Sequence, residues 1–278
     1  MRFEDFARAH GLIISSVIPD RWVSTPTEDH PRKRNGRYKF LGDIGWVQNW
    51  ATMTKPEVWR SVTTVTPQDR RDMFQRMARE RQRETQAAAS KAGWIMNQTI
   101  RASHPYLVKK GFPDEVGNVW NADTDSLLVI PMRGLDKRIV GCQLIDSEGK
   151  KKFLQGQASK GAVFAMNAGG LPIFCEGYAT GLSIRAVMVQ IKIRYSIYVC
   201  FSAANVEEVA SRFTTGIVVA DNDANQVGEE TARRTGKPYW IAPTVGQDFN
   251  DFHQSVGIFK ASQALKKLLI QSGAASSV

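Results

Sequence analysis

The sequence predicts an α/β protein with a parallel sheet in its C-terminal part, preceded by a basic α+β subdomain and a small N-terminal module. The main observation is that short apolar runs alternate with helical patterns after residue 168. These runs are Ile173–Cys175, Ile197–Phe201, Ile217–Ala220 and Tyr239–Ala242. Short strands that are apolar on both faces and separated by helices are typical of a parallel sheet covered by helices on both sides.

Composition favours a nucleic-acid partner. The chain has 278 residues, with 37 Lys and Arg against 27 Asp and Glu, and this excess of positive charge favours a polyanion. Cys142, Cys175 and Cys200 lie in apolar runs without the spacing of a zinc site, so we expect free thiols in a reducing compartment. We find no signal-peptide pattern and no apolar stretch of membrane-spanning length. We therefore expect a cytoplasmic protein with no membrane partner.

Residues 1–65 predict a small β-rich N-terminal module with a basic run and several aromatic residues. The basic residues are Arg32, Lys33, Arg34 and Arg37, and the aromatic residues are Tyr38, Trp46, Trp50 and Trp59. Proteins bind single strands with cations that follow the phosphates and with aromatic rings that stack on the bases. Because tryptophan is mostly buried, we predict that the tryptophans form the core of the module and that the basic run contacts DNA.

A long charged helix is predicted over residues 66–103, where it connects the N-terminal module to the rest of the chain. Thr66 and Pro67 suit the N-cap and the first turn of a helix. The residues that follow are rich in Arg, Glu, Gln and Ala, as in a solvated helix. His104-Pro105 then ends the helix, because the residue before a proline avoids the helical conformation.

Two further domains are predicted after the connector. Residues 104–168 form the basic subdomain, in which Leu127–Met132 and Arg138–Ile145 predict two strands joined by a turn. Residues 169–278 contain the alternating strands and helices and form the α/β domain. Ligands of such sheets bind beyond the carboxyl ends of the strands, so we expect the chemistry at that edge.

Acidic residues follow three of the four predicted strands of the α/β domain. They are Glu176 after the first strand, Asp221 and Asp223 after the third, and Asp248 and Asp251 after the fourth. Any one of them could be a turn former or a helix cap, but together they would lie at one edge of the sheet. Carboxylates without His or Cys among them favour Mg²⁺, for which Mn²⁺ is the expected substitute.

Two of these acidic segments resemble the signature motifs of the Toprim domain, which occurs in bacterial primases, topoisomerases and some nucleases. The segments are FCEGYATGLS (Phe174–Ser183) and IVVADNDANQVGEETA (Ile217–Ala232). A later segment, GQDFNDFHQ (Gly246–Gln254), is similar to the third acidic motif of primases. The resemblance implies that residues 169–278 are a Toprim catalytic domain. It also implies that the catalytic metal ligands are Glu176, Asp221 and Asp223, with Asp248 and Asp251 as further ligands.

The chain upstream of these motifs resembles primases more than other Toprim proteins. Leu127–Gly156 is similar to the hairpin of the DnaG-type primase core. His104–Phe112 and Arg37–Trp50 resemble primases of conjugative plasmids and phages. The resemblance implies a plasmid- or phage-type DNA primase that makes short RNA primers on single-stranded DNA in the cytoplasm of a bacterial host. Its other partners would be ribonucleoside triphosphates and a separate replicative helicase. The candidates for binding nucleotide phosphates or the template are Arg133, Lys152 and Lys160.

Two departures from the DnaG-type pattern leave the number of bound metal ions open. Thr180 stands where that family usually has a second acid, and Asn250 stands where it has a second Asp. Two alternative functions also stay open. A Toprim nuclease would use the same acids to position water, and Leu127–Gly156 argues against it. A non-catalytic single-strand-binding replication protein is the other alternative, and the intact Glu and Asp-x-Asp motifs argue against that.

Overall fold

The computed structural model describes residues 1–61, 67–122 and 125–273, and the chain divides into two compact units, Met1–Gln82 and Arg83–Val278. The first unit contains one short helix and a four-stranded antiparallel sheet with the order β1-β2-β3-β4. The elements are α1 (Phe3–Ala9), β1 (Trp22–Thr25), β2 (Gly36–Phe40), β3 (Ile44–Asn49) and β4 (Glu57–Arg60).

Helix α1 covers one face of this sheet. The ring of Phe3 lies 4.7 Å from that of Phe40 and 5.6 Å from that of Trp59, measured between centroids. Gly45 permits this approach, because a Cβ at that position would collide with the Phe3 ring. The prediction that the tryptophans form the core is correct for Trp59, which is buried. It is wrong for Trp50, which is 47% exposed, and for the half-buried Trp46, because both lie on the opposite face of the sheet.

A helix of 31 residues, α2 (Pro67–Asn97), matches the predicted connector and contains the boundary between the two units. Thr66, the predicted N-cap, lies outside the described residues. Near the end of α2, Ala92 and Ile95 are fully buried in the core of the second unit, where they pack with Val129 and Cys142. The C-terminal part of the connector is therefore a packed element of the second unit.

The second unit begins with a five-stranded antiparallel sheet in the order β5-β6-β7-β8-β9. The two predicted strands are confirmed as β7 and β8, and β9 was not predicted. The elements are β5 (Ile100–Ala102), α3 (Pro105–Lys109), β6 (Gly117–Asn121), β7 (Ser126–Arg133), β8 (Ile139–Ile145) and β9 (Lys151–Phe153).

A second five-stranded sheet follows, in the order β10-β12-β11-β13-β14. Strands β12, β11, β13 and β14 are parallel, which confirms the predicted fold class, whereas the unpredicted edge strand β10 is antiparallel to β12. The predicted domain boundary at residue 168 falls just after β10, inside the second unit. The elements are β10 (Phe164–Met166), β11 (Leu171–Cys175), α4 (Tyr178–Gln190), β12 (Tyr195–Val199), α5 (Ala203–Ala210), β13 (Ile217–Ala220), α6 (Val227–Arg234), β14 (Tyr239–Ile241) and α7 (Phe249–Gln271).

Helices cover both faces of this parallel sheet. Ile173 and Val219 share one buried cluster with residues of α4 and α7. Phe174 and Val218, which neighbour Ile173 and Val219 on the same strands, belong to a second cluster with residues of α5 and α6. Polar side chains can therefore meet solvent only at the ends of these strands. The three cysteines are free and buried, and none of the described helices is both long and apolar enough to span a membrane.

Candidate active site

The carboxyl ends of β11 and β13 bring two of the predicted acids to one edge of the sheet. The strands are adjacent and parallel, and Cys175 is in register with Val219, so Glu176 lies opposite Ala220 and Asp221 is the next residue at the same edge. The backbone at Glu176 is held by Phe201, whose N–H donates to the Glu176 carbonyl oxygen at 2.9 Å. Phe201 has a φ of 69°, which is unusual for a bulky residue and is the kind of backbone strain that occurs at functional sites.

Backbone hydrogen bonds tie the loop after β13 to the segment that precedes α7. The Asn222 N–H donates to the Gln247 carbonyl oxygen at 3.0 Å, and the Gly246 N–H donates to the Asn222 carbonyl oxygen at 2.6 Å. The Asn222 side-chain amide also donates to the Ala242 carbonyl oxygen at 2.7 Å. These contacts place Asp248 close enough to Asp221 for their charges to interact.

Asp221 has the most strongly perturbed pKa among the predicted acids. Burial raises its pKa to about 7, and the negative charges of Asp248, Glu176 and Asp223 add to the effect, while Lys151 opposes it. Its Oδ1 atom is buried and has no hydrogen-bond partner in the protein. A buried carboxylate oxygen without a hydrogen-bond partner is costly to keep charged, so a cation or a proton would stabilise this position.

Glu176 shares this electrostatic environment. Burial and the charge of Asp223 raise its pKa, whereas Lys151 and a hydrogen bond from the backbone N–H of Ala203 lower it. Ala203 is the first residue of α5, so the Glu176 carboxylate lies at the positive end of that helix. Glu176, Asp221 and Asp223 therefore form one electrostatically coupled group.

Asp248 and Asp251 have a structural role in addition to any metal binding. The Asp251 N–H donates to Asp248 Oδ1 at 2.8 Å, and the Asp248 N–H donates to Asp251 Oδ2 at 3.3 Å, which is a capping box at the start of α7. Asp251 also pairs with the ammonium of Lys110 at 3.3 Å. Asp251 is thus already engaged by protein partners, whereas Asp248 also acts on Asp221.

The donor set suits a hard divalent cation. Glu176, Asp221, Asp223 and Asp248 provide only carboxylate oxygens, and the partnerless Asp221 Oδ1 is the oxygen that such an ion would satisfy. Across the described ranges, no three His, Cys, Asp or Glu side chains are positioned to enclose an ion. The residues therefore fit Mg²⁺ by their chemistry and their shared edge, and binding requires the side chains to converge.

The three predicted basic residues occupy different places. An Arg133 Nη1 atom donates to the Lys137 carbonyl oxygen at 2.8 Å within the β7–β8 hairpin. Lys160 pairs with Glu208 at 3.2 Å and has a largely exposed side chain. Lys152 lies on β9, exposed and opposite Leu144. Their roles in binding nucleotide or template stay predictions.

Sequence reasoning missed two residues near the acids. Lys151, next to the predicted Lys152, is the cation whose charge acts on both Glu176 and Asp221. Adjacent residues of a strand point to opposite faces. Recognition of β9 as a strand would therefore have shown that Lys151 and Lys152 point in opposite directions. Tyr106 is the second: its buried hydroxyl has no protein partner, and burial and the charges of Asp248 and Asp251 raise its pKa.

The two departures from the DnaG-type pattern, Thr180 on α4 and Asn250 on α7, are both buried. The amide nitrogen of Asn250 donates to the Lys110 carbonyl oxygen at 2.9 Å and to Ser183 Oγ at 3.0 Å. An aspartate could not donate either bond, so Asn250 serves here as a structural amide. Thr180 is fully buried, and its Oγ1 atom has no partner in the protein.

The fold and this edge define a class of protein: an α/β domain with carboxylates at the ends of adjacent parallel strands. Residues 172–258 match the Toprim domain family. The chain therefore contains a Toprim domain, which confirms the resemblance found in its motifs. The matched range includes Glu176, Asp221, Asp223, Asp248 and Asp251.

Three solved structures are similar to this chain at low identity. One is a chain from the complex of bacteriophage T7 lagging-strand DNA polymerase with primase domains, with a TM-score of 0.42 and 15% identity over 58% of this chain and 83% of that one. Another is the primase fragment of the bacteriophage T7 primase-helicase protein, with a TM-score of 0.41 and 16% identity over 59% and 69%. A third is the DnaG primase catalytic domain bound to single-stranded DNA, at 0.36 and 14% over 60% and 59%. The Toprim assignment rests on residues 172–258 alone.

Proposed function

We propose that the protein is a DNA primase that synthesises short RNA primers on single-stranded DNA, with Mg²⁺, during plasmid or phage replication. The observation that carries the proposal is the coupled group of Glu176, Asp221 and Asp223 at one edge of a Toprim sheet, with a buried, partnerless oxygen on Asp221. The resemblance of Leu127–Gly156 to a primase core favours primer synthesis over other Toprim reactions.

In this proposal the acidic residues bind Mg²⁺, and Lys151 binds the phosphates of the nucleotide. Glu176, Asp221 and Asp223 are the ligands, and Asp248 contributes from the start of α7. Bound Mg²⁺ would neutralise the triphosphate and lower the barrier to attack by a 3′-hydroxyl on its α-phosphate, with pyrophosphate as the leaving group. Lys151 lies close enough to act on Glu176 and Asp221, so its ammonium is suited to the phosphates of a nucleotide bound at the acids.

The template would lie against the other basic positions of the second unit. Lys152 is next to Lys151 on β9 and therefore points to the opposite face. We assign Lys152, Arg133 and Lys160 to the template strand or to a second nucleotide, since Lys and Arg serve both roles. A primase must align two nucleotides and a template, whereas a nuclease needs one strand and a water molecule.

One assay separates primer synthesis from the alternatives. The full chain is incubated with circular single-stranded DNA, Mg²⁺ and labelled ribonucleotides, and the products are resolved on a denaturing gel beside a cleavage assay. We expect short RNA products, and we expect Lys152→Ala to reduce the dinucleotide yield strongly because alignment of the reactants carries much of the rate. Lys266→Ala, an exposed lysine on α7, is the matched control and should behave as the parent.

The remaining outcomes identify the rivals. Metal-dependent cleavage without any ribonucleotide product, on every template tested, would replace the primase proposal with a nuclease. DNA binding with neither synthesis nor cleavage would favour a non-catalytic replication protein.

A further inference from the structure

The sheet of the first unit has a second face that α1 does not cover. Alternation along the strands places every second residue on it. Trp50 continues the same face beyond β3, because its N–H donates to the Asn35 carbonyl oxygen at 3.0 Å in register with the β2–β3 pairing. We call this surface the outer face. Its residues are Trp22, Ser24, Asn35, Arg37, Lys39, Ile44, Trp46, Gln48, Trp50, Val58 and Arg60.

Two exposed tryptophans flank an ordered arginine at its centre. The guanidinium carbon of Arg37 lies 4.4 Å from the ring centroid of Trp22 and 5.9 Å from that of Trp50. Gln48 fixes the guanidinium, since its Oε1 accepts from Arg37 Nε at 3.1 Å and from Nη2 at 2.9 Å. Trp22 and Trp50 are 42% and 47% exposed. The planar groups are thus held in place before any partner binds, which reduces the entropy lost on binding.

The charge of the outer face selects for an anionic partner. Among its eleven residues three are basic, Arg37, Lys39 and Arg60, and none is acidic. The exposed run Arg32–Arg34 directly precedes β2 and adds three further positive charges at its margin. Flat aromatic rings beside fixed cations are the two components of surfaces that bind unpaired nucleic-acid strands.

We propose that the outer face binds single-stranded DNA, with bases stacked on Trp22 and Trp50 and phosphates contacted by Arg37, Lys39 and Arg60. A duplex cannot use this face in the same way, because its bases already stack on one another and do not offer a free ring surface. The choice of DNA as the strand rests on the proposed function, in which single-stranded DNA is the template. The inference that bases stack on this surface rests only on the geometry of the outer face.

The test measures binding alone, so that it does not depend on catalysis. Fluorescence anisotropy of a labelled oligo(dT) of about 20 nucleotides is followed with the full chain, without Mg²⁺ or nucleotides. Each of Trp22→Ala and Trp50→Ala should weaken binding by about 5- to 100-fold, because stacking of one base on an aromatic side chain carries that range. Arg37→Lys, which keeps the charge and loses the planar group, should have a smaller effect. The matched control is Trp94→Ala, an exposed tryptophan of the second unit, which should bind as the parent does.

Further controls guard against misfolding and against other occupants. Trp22→Phe with Trp50→Phe keeps aromatic rings and should restore most of the affinity lost in the alanine double variant. The assay contains neither Mg²⁺ nor nucleotides, so a failure of the catalytic proposal would not affect this result. The inference is overturned if the alanine double variant binds oligo(dT) as the parent does, or if a blunt duplex binds as tightly as the single strand. Loss of a dimer in that variant, with unchanged DNA binding, would assign the face to a second copy instead.

Discussion

The two sheets at the centre of the functional proposals bury their residues in different ways. The Toprim sheet is covered by helices on both faces, so its chemistry is confined to the ends of β11 and β13. The sheet of the first unit is covered by α1 on one face only, and its other face carries exposed tryptophans. A sheet buried on both sides offers an edge that can concentrate charge, whereas a half-covered sheet offers a flat surface suited to stacking.

The largest effect is expected at the Toprim edge. Asp221→Ala and Asp223→Ala should each reduce metal-dependent synthesis by about 100-fold or more, because a bound metal contributes several kcal/mol to the transition state. The fold should stay intact, since removal of one carboxylate relieves repulsion among the acids. Initial rates and circular dichroism check both statements, with Asp136→Ala, an exposed hairpin residue, as the control. Near-normal synthesis by either variant would remove these acids from the metal site.

A second prediction concerns how the raised pKa of Asp221 makes the stability of the protein depend on pH. The folded carboxyl takes up its proton at about pH 7, whereas an unfolded aspartate does so near pH 3.9. The folded state therefore binds the extra proton between these values, and the free energy of unfolding should fall as pH rises from about 4 to about 7. Asp221→Asn should remove this loss and be more stable than the parent by about 4 kcal/mol at pH 8 without added metal, at roughly 1.36 kcal/mol per unit of pKa difference.

Denaturant unfolding at several pH values, with and without Mg²⁺, tests this statement. Mg²⁺ should stabilise the parent at pH 8 and should have much less effect on Asp221→Asn. If the free energy of unfolding depends on pH in the same way in both proteins, the pKa of Asp221 is not raised in the folded protein.

Two glycines allow the sheets to be disturbed separately. A Cβ at Gly228 would collide with the carbonyl oxygen of Asp221, and a Cβ at Gly45 would collide with the Phe3 ring. Each alanine variant should lose about 1 to 3 kcal/mol of stability through overpacking. Only Gly228→Ala should also weaken Mg²⁺ binding, as measured by calorimetry, because it displaces the backbone of a ligand. Gly93→Ala is the control, because a Cβ at Gly93 on α2 would meet no neighbouring atom. An equal loss of Mg²⁺ affinity in Gly45→Ala would contradict the prediction that only the Toprim sheet positions the metal ligands.

The smallest effect concerns the basic run beside the outer face. Replacement of Arg32, Lys33 and Arg34 by Gln should make the salt dependence of single-strand binding shallower by about two units of log–log slope, at roughly 0.7 per phosphate contact. Affinity at one salt concentration should change less than in the tryptophan variants. An unchanged slope in a salt titration would mean that this run is solvated rather than in contact with DNA.

The α/β domain was predictable because its signals are local. Strands that are apolar on both faces give continuous apolar runs, and helices between them impose parallel order, so the positions of Glu176 and Asp221 at one edge followed from chain order alone. The strand β10 was missed because three residues of mixed character carry little periodic information. The strand β9 was missed for the same reason, and with it the orientation of Lys151.

What the sequence determined by itself was the class of sheet, the residues that end its strands and the Toprim motifs they form, because hydrophobic periodicity and residue order along the chain encode them directly. Only the tertiary structure decided which tryptophans are covered. Trp50 and Trp59 have the same intrinsic tendency to be buried, yet Trp59 packs against Phe3 of α1 and Trp50 lies on the uncovered face. The structure likewise decided that Asp221 has a buried, partnerless oxygen. Burial depends on which elements pack together from distant parts of the chain, and a local pattern of residues does not contain that information.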